Sequence, residues 1–251
     1  MKSTMTMMHH EARLISFVER FKQPLPSWYK GIKEEAYKRI TEAPFADACR
    51  KGDREVMKKL IINLWPFVDI FPQTVGRIYA YLFTNPVMYF RHGFLNMLSL
   101  SYDSVVFLKS IARDEKSHRL LWLDSGLAFG LQYPKDYGYS ITPQTQVWKD
   151  EVMNRTELSE MFLGYVAIEI IAESISKNLV NSDPFKLVLG DRGIRWFAVH
   201  TIDHGDVSHE NLELHLACAF HPQPEMLTRE TAEHSIMSVV DKFLAAANAC
   251  I

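Results

Sequence analysis

The stretch Arg113-Asp114-Glu115-Lys116-Ser117-His118 is the first place where this 251-residue chain has side chains spaced for chemistry. Glu115 and His118 fall with Leu108, Ile111 and Trp122 on one face of a helix. A carboxylate three residues before an imidazole can converge with it on one metal ion, as in di-iron carboxylate bundles. Asp114, Lys116 and Arg119 lie alongside, so a surface ion-pair cluster is the competing reading. In Met161–Glu173, MFLGYVAIEIIAE, Glu169 is the single charge among eleven apolar or glycine neighbours, and Glu173 follows one turn later. A carboxylate on such a face must be paired, protonated or bound to a cation. Either a metal or an arginine partner satisfies that requirement. In the third place, six of the ten residues from His200 to His209 are His, Asp or Ser. Imidazole mixed with carboxylate suits iron, manganese or zinc better than magnesium or calcium. On a straight helix Asp206 and His209 share a face with Ile202, while His200 and His204 share another. The alternative is an exposed polar face. Gly205 makes a local distortion cheap, and the expectation is that such a distortion brings His200 or His204 toward Asp206 and His209.

The elements that must position these residues read as helices. Glycine and proline number only 11 each, and the segments between them are long. Amphipathic helices are expected over His10–Lys22, Ser27–Ala43 and Arg54–Trp65, the last capped by Asp53. Pro66 is expected to open a separate helix, Phe67–Thr84, kinked or broken at Pro72. A long apolar stretch, Val87–Leu131, should be interrupted near Ser99–Asp103, and Gln132–Pro143 reads as a loop. Further helices are expected over Thr156–Leu179 with Thr156 as cap, Ile194–Ala219, and Thr228–Ala247. No set of alternating strands bounded by turns is found. The fold class is therefore all-α, a single domain over residues 1–251 with seven to nine helices and residues 1–8 flexible.

Composition narrows the function. Hydrophobic residues are 47% and charged residues 23%, the balance of a chain with a packed core rather than a disordered one. A net charge of −2 argues against nucleic acid as a partner. No uncharged run of 18 apolar residues is present, so no membrane span is expected. The first eleven residues lack the apolar segment of a signal peptide. Cys49, Cys218 and Cys250 lie far apart, which fits a reducing cytoplasm better than a disulfide framework.

The segment RDEKSHRLLWLDSGLAFGL, Arg113–Leu131, resembles the D-E…H…L-W…G-L segment of the haem-oxygenase-like superfamily. Asn63-Leu64-Trp65-Pro66-Phe67 through Phe71-Pro72 resembles an earlier helix pair of that group, and the resemblance spans residues 25–245. The group includes thiaminase II, pyrroloquinoline-quinone synthase, the chlamydial protein associating with death domains, and the haem-oxygenase-like di-iron oxidases and oxygenases. The resemblance implies a haem-oxygenase-like helical bundle. In the di-iron branch it implies Fe(II), two per chain, held by Glu115, His118, Glu169 with Glu173 as rival, Asp206 and His209. A sixth ligand, a His, should fall at position 202, where Ile202 stands; His200 or His204 substitutes only if the helix is locally rewound. The implied activity is oxidation or oxygenation of a small organic substrate by O2, with amino acids and their derivatives leading and fatty acids next. Trp122, Tyr165 and Trp196 are expected to line the cavity, and a homodimer is expected. No cysteine matches a thiaminase nucleophile. The alternatives are a cofactor-free oxidase resembling pyrroloquinoline-quinone synthase and a non-catalytic interaction protein on the same scaffold.

Overall fold

A computed structural model describes residues 12, 14–22, 24–84, 93–137, 142–202, 208–221 and 227–251. Its regular elements are all helical: α1 (residues 14–21), α2 (Tyr29–Thr41), α3 (Pro44–Arg50), α4 (Arg54–Thr84), α5 (Phe94–Leu127), α6 (Pro143–Met153), α7 (Leu158–Leu179), α8 (Asp183–Gly193), α9 (Arg195–Val199), α10 (His209–Phe220) and α11 (Arg229–Asn248). The described helices number eleven against the expected seven to nine. The excess comes from short pieces such as α3 and α9, which lie between longer helices and carry too little periodic pattern to read. The flexibility expected of residues 1–8 lies outside the described residues.

Helix starts follow local chemistry. Asp53 Oδ1 accepts from the amides of Glu55 and Val56, both at 3.1 Å, as expected for the cap of α4. Thr142, Ser182, Ser208 and Thr228 cap α6, α8, α10 and α11 in the same way. Thr156 does not cap α7, which begins at Leu158 after an extended Glu157.

Two expected interruptions are absent. Helix α4 runs unbroken through Pro66 and Pro72. An interior proline costs about 3 kcal/mol. The flanking Leu64, Trp65, Phe67 and Phe71 are all buried, and each such side chain contributes about 1.5–3 kcal/mol. Packing therefore outweighs the lost backbone bonds. Helix α5 is likewise continuous through Ser99–Asp103. Ser104 donates to the Leu100 carbonyl at 2.7 Å, Ser101 reaches the Leu82 carbonyl, and Arg20 holds Asp103 at 2.9 Å, so the polar residues are satisfied without a break.

Helix α7 is central. Nearly every turn of it is buried, and it packs against α10, α11 and α2. Helices α4 and α5 pair along their lengths, and α9 bridges α5 and α7. One continuous hydrophobic core joins these layers. The expected helix Ile194–Ala219 is not continuous: α9 ends at Val199, His200 leaves the helical region with φ −81° and ψ 1°, and Ser208 is extended before α10.

Candidate active site

Four helices bring ionisable side chains together, and three of these, Glu115, Glu169 and His200, line one cavity. Helix α5 supplies Glu115, His118 and Trp122 from the face set by its apolar periodicity. Helix α7 supplies Glu169, the end of α9 supplies Trp196 and His200, and α10 supplies His209. His118 Nδ1 donates to Glu115 Oε1 at 3.1 Å. The His118 and His200 rings stand 4.7 Å apart, and Trp196 stacks on His200 at 4.1 Å. His209 faces two carboxylates, Nδ1 at 3.8 Å from Glu169 Oε1 and Nε2 at 3.9 Å from Asp114 Oδ2, both beyond hydrogen-bond length.

The orientation of His200 follows from one bond. Its Nδ1 lies 2.7 Å from the Trp196 carbonyl, which can only accept, so Nδ1 carries the proton. Burial, and then the charge of His118, lowers its pKa and keeps the ring neutral. Its Nε2 lone pair is therefore bare, the tautomer that a backbone carbonyl fixes in metal-ligating histidines. For His118 burial opposes protonation, but the Glu115 hydrogen bond and the charges of Glu115 and Glu169 outweigh it and raise the pKa. His209 behaves alike, burial being overcome by Glu169, Glu115 and Asp114. Burial likewise disfavours the charge on Glu169, yet the imidazoles of His209, His200 and His118 hold its carboxyl below the ordinary range.

The cavity extends from this polar end as a space of about 60 Å3. Glu115, Glu169 and His200 form its polar wall; Leu60, Leu64, Phe67, Phe71, Trp148 and Phe243 are among its apolar ones. Among the described residues no lysine or arginine lines it. Trp122 and Trp196 are wall residues of this cavity and meet edge to face at 4.7 Å. Trp122 is fixed by donating its indole N–H to the Ile61 carbonyl at 3.1 Å.

Tyr165 is not a wall residue. Its ring packs against Phe71 at 5.0 Å and its hydroxyl bonds to that of Thr74 within the core. The expectation for Tyr165 is corrected: it packs behind Phe71, with its hydroxyl on Thr74 of α4. Glu173 is also corrected as a ligand. It is ion-paired with Lys33 and Lys177, whereas Glu169 is the carboxylate of the two that faces the imidazoles. Ile202 is 58% exposed and contributes nothing to the cluster. His204 and Asp206 lie outside the described residues.

Sequence reasoning missed Glu213. It is one turn after His209, fully buried, and neither carboxylate oxygen has a hydrogen-bond partner among the described residues. Burial pushes its carboxyl well above the ordinary range, and the charges of Glu169, Glu115 and Glu210 add to the effect. The signal was available: Glu213 sits between Leu212 and Leu214 in NLELHLACAF, a charge on an apolar helix like the one that singles out Glu169.

The donor set suits a transition metal by its chemistry: imidazoles, one with a bare Nε2, beside carboxylates of which one is orphaned. As placed, however, Glu115 turns onto His118 and Glu169 onto His209. Among the described residues no three His, Cys, Asp or Glu side chains are grouped to hold one ion.

No family model matches the sequence, and comparison with curated proteins finds no relative. Solved structures do match. A TenA homologue from Pseudomonas syringae pv. tomato DC3000 aligns with TM-score 0.70 at 14% identity, covering 90% of this chain and 93% of that one. A TenA family transcription regulator from Silicibacter sp. TM1040 aligns with TM-score 0.55 at 10% identity, covering 90% and 97%. A TenA homologue from P. horikoshii OT3 gives 0.54 at 15%, covering 88% and 95%. Likeness at this identity carries the fold and nothing finer. The chain has the haem-oxygenase-like helical fold, in the form seen in these TenA homologues.

Proposed function

We propose that this chain is an enzyme that holds iron in its Glu/His cluster and uses O2 to oxidise a small, largely apolar organic molecule. One observation carries the reading: Glu115, Glu169 and His200 form the polar wall of an otherwise apolar cavity that no lysine or arginine among the described residues lines, with His118 bonded to Glu115 and His209 beside Glu169. Carboxylates gathered in a low-dielectric interior need compensating positive charge, and a divalent cation supplies it there. Glu115, His118, Glu169, His200 and His209 would hold the metal, with two ions per chain as the resemblance implies. Iron so held supplies one-electron and O2 chemistry, and the protein supplies geometry and a dry pocket.

The chain's own residues do the rest. Leu60, Leu64, Phe67 and Phe71 exclude water and bury the substrate's apolar part beside the polar wall. Away from that polar end the described walls are apolar, so the part of the substrate that lies against them is apolar. The Trp196 carbonyl fixes the His200 tautomer, and Glu115 orients His118 through its Nδ1 proton. A thiolate nucleophile is disfavoured. No cysteine is among the described lining residues, and burial pushes the Cys49 thiol up to about 12 and raises Cys218 and Cys250 as well.

The test is anaerobic Fe(II) reconstitution with metal analysis, then O2 exposure followed optically. Iron near two per chain that reacts with O2 supports the reading; a folded protein that takes up no iron refutes it. The two imidazole–carboxylate pairs favour one other reading, cofactor-free acid/base oxidation, and a metal-free protein that still oxidises a substrate would establish it.

A further inference from the structure

Helix α10 carries a further ionisable side chain into the interior, Glu213. Glu213 has no exposed surface and both of its oxygens lack partners among the described residues. It is four residues after His209, so the two side chains share one face of the helix that packs on α7, which carries Glu169. The charged groups that act on it from α5, α7 and α10 are Glu115, Glu169 and Glu210, all carboxylates. Lys33, which reaches α10 from α2, is engaged by Glu210 and Glu173. A buried carboxyl with neither a donor nor a cation is costly in either protonation state, because the charged form lacks compensation and the neutral form lacks an acceptor for its proton.

We infer that Glu213 is an additional metal ligand of the Glu/His cluster, contributing the carboxylate through which the site holds its second divalent cation. This rests on the metal reading above and extends it by one residue. Ile202, exposed, offers no donor, and Glu213 approaches from the same helix as His209 with its oxygens uncommitted. Two divalent ions carry four positive charges. Glu115 and Glu169 balance half of them, and Glu213 brings the described site closer to neutrality.

Co(II) alone, added to the full chain under anaerobic conditions, tests this through stoichiometry and the visible ligand-field bands. Wild type should bind two ions. Glu213→Gln, nearly identical in shape, should bind one, or hold the second at least about 100-fold more weakly, the upper end of what outer residues of metal sites cost. Glu213→Asp should still bind two, with altered bands. Circular dichroism and thermal melting without metal control for folding; if Glu213→Gln does not fold, the affinity and bands of Glu213→Asp decide. Two ions bound by Glu213→Gln with affinity within about threefold and unchanged bands would overturn the inference while leaving the metal reading intact. The same holds for Glu213→Asp with wild-type affinity and bands. No cobalt on the wild type would overturn both.

Discussion

Ala172→Leu probes whether the apolar space beside Glu169 is where a substrate lies. Ala172 lines the cavity from α7, one turn beyond Ile168 and three residues after Glu169. An empty apolar space destabilises a fold by about 24 cal/mol per Å3. For a cavity of about 60 Å3 that amounts to about 1.4 kcal/mol. Leucine adds three carbons, which at about 0.8 kcal/mol each would contribute about 2.4 kcal/mol if all were accommodated. The gain expected from filling the space is therefore about 1.4–2.4 kcal/mol, or roughly 3–10 °C in Tm at about 2–4 °C per kcal/mol for a chain this size. Metal uptake should persist, because Ala172 carries no donor. Binding of xenon, an uncharged probe small enough for this space, should fall at least tenfold, corresponding to about 1.4 kcal/mol. Thermal melting, Co(II) titration and xenon NMR titration read these three quantities. Wild-type affinity for xenon in a stabilised variant would refute the assignment of this space as the binding cavity. A fall in Tm would refute the claim that the space is free to be filled.

Glu169→Ala should abolish stoichiometric Fe(II) binding with little change in helix content by circular dichroism; full iron retention would remove Glu169 from the site. Stability of the metal-free protein should vary with pH through the same pairs. His118 and His209 have folded pKa values raised above 6.5, so their contribution is complete below 6.5 and lost as pH rises through the raised values. The folded pKa of Glu169 is lowered from 4.5, so its contribution is present above 4.5 and lost as pH falls through the lowered value. The contribution of these three groups to the urea midpoint should thus be greatest between pH 4.5 and 6.5, opposed there by His200 and Glu213, whose shifts run the other way, and His118→Ala should flatten the decline above 6.5. Gly126→Ala should cost about 1–3 kcal/mol in urea unfolding, because a Cβ there collides with the Tyr137 hydroxyl, which is held at 3.2 Å from the Leu123 carbonyl.

Much of this was legible in the sequence because it is encoded in periodicity. Glu115, His118 and Trp122 share a face with Leu108 and Ile111, and that face fixes their direction before any neighbour is known. The choice between Glu169 and Glu173 was not legible. Both can point inward, and the choice is made by Lys33, which arrives from α2 and by its pairing removes Glu173 from the set of free carboxylates. Tyr165 was misplaced for a related reason: a helix buried on nearly all sides has no outward face, so periodicity cannot tell the cavity side from the Thr74 side. Pro66 and Pro72 misled because their local cost is fixed, whereas the burial that offsets it depends on tertiary contacts.

The break between α9 and α10 shows how a backbone irregularity builds the cluster. At 100° per residue, a continuous helix would place His200 and His209 on opposite sides. The end of α9 at Val199 removes that constraint. His200 is then positioned by its own helix, its Nδ1 on the Trp196 carbonyl and its ring on the Trp196 indole, with His118 across from it. His209 restarts the chain as the first residue of α10, where the Ser208 cap sets the helix direction and carries both His209 and Glu213 toward α7. A regular helix would offer either His200 or His209 to Glu169. The interrupted one offers both, which is why the charge on Glu169 is stabilised by imidazoles from three separate helices.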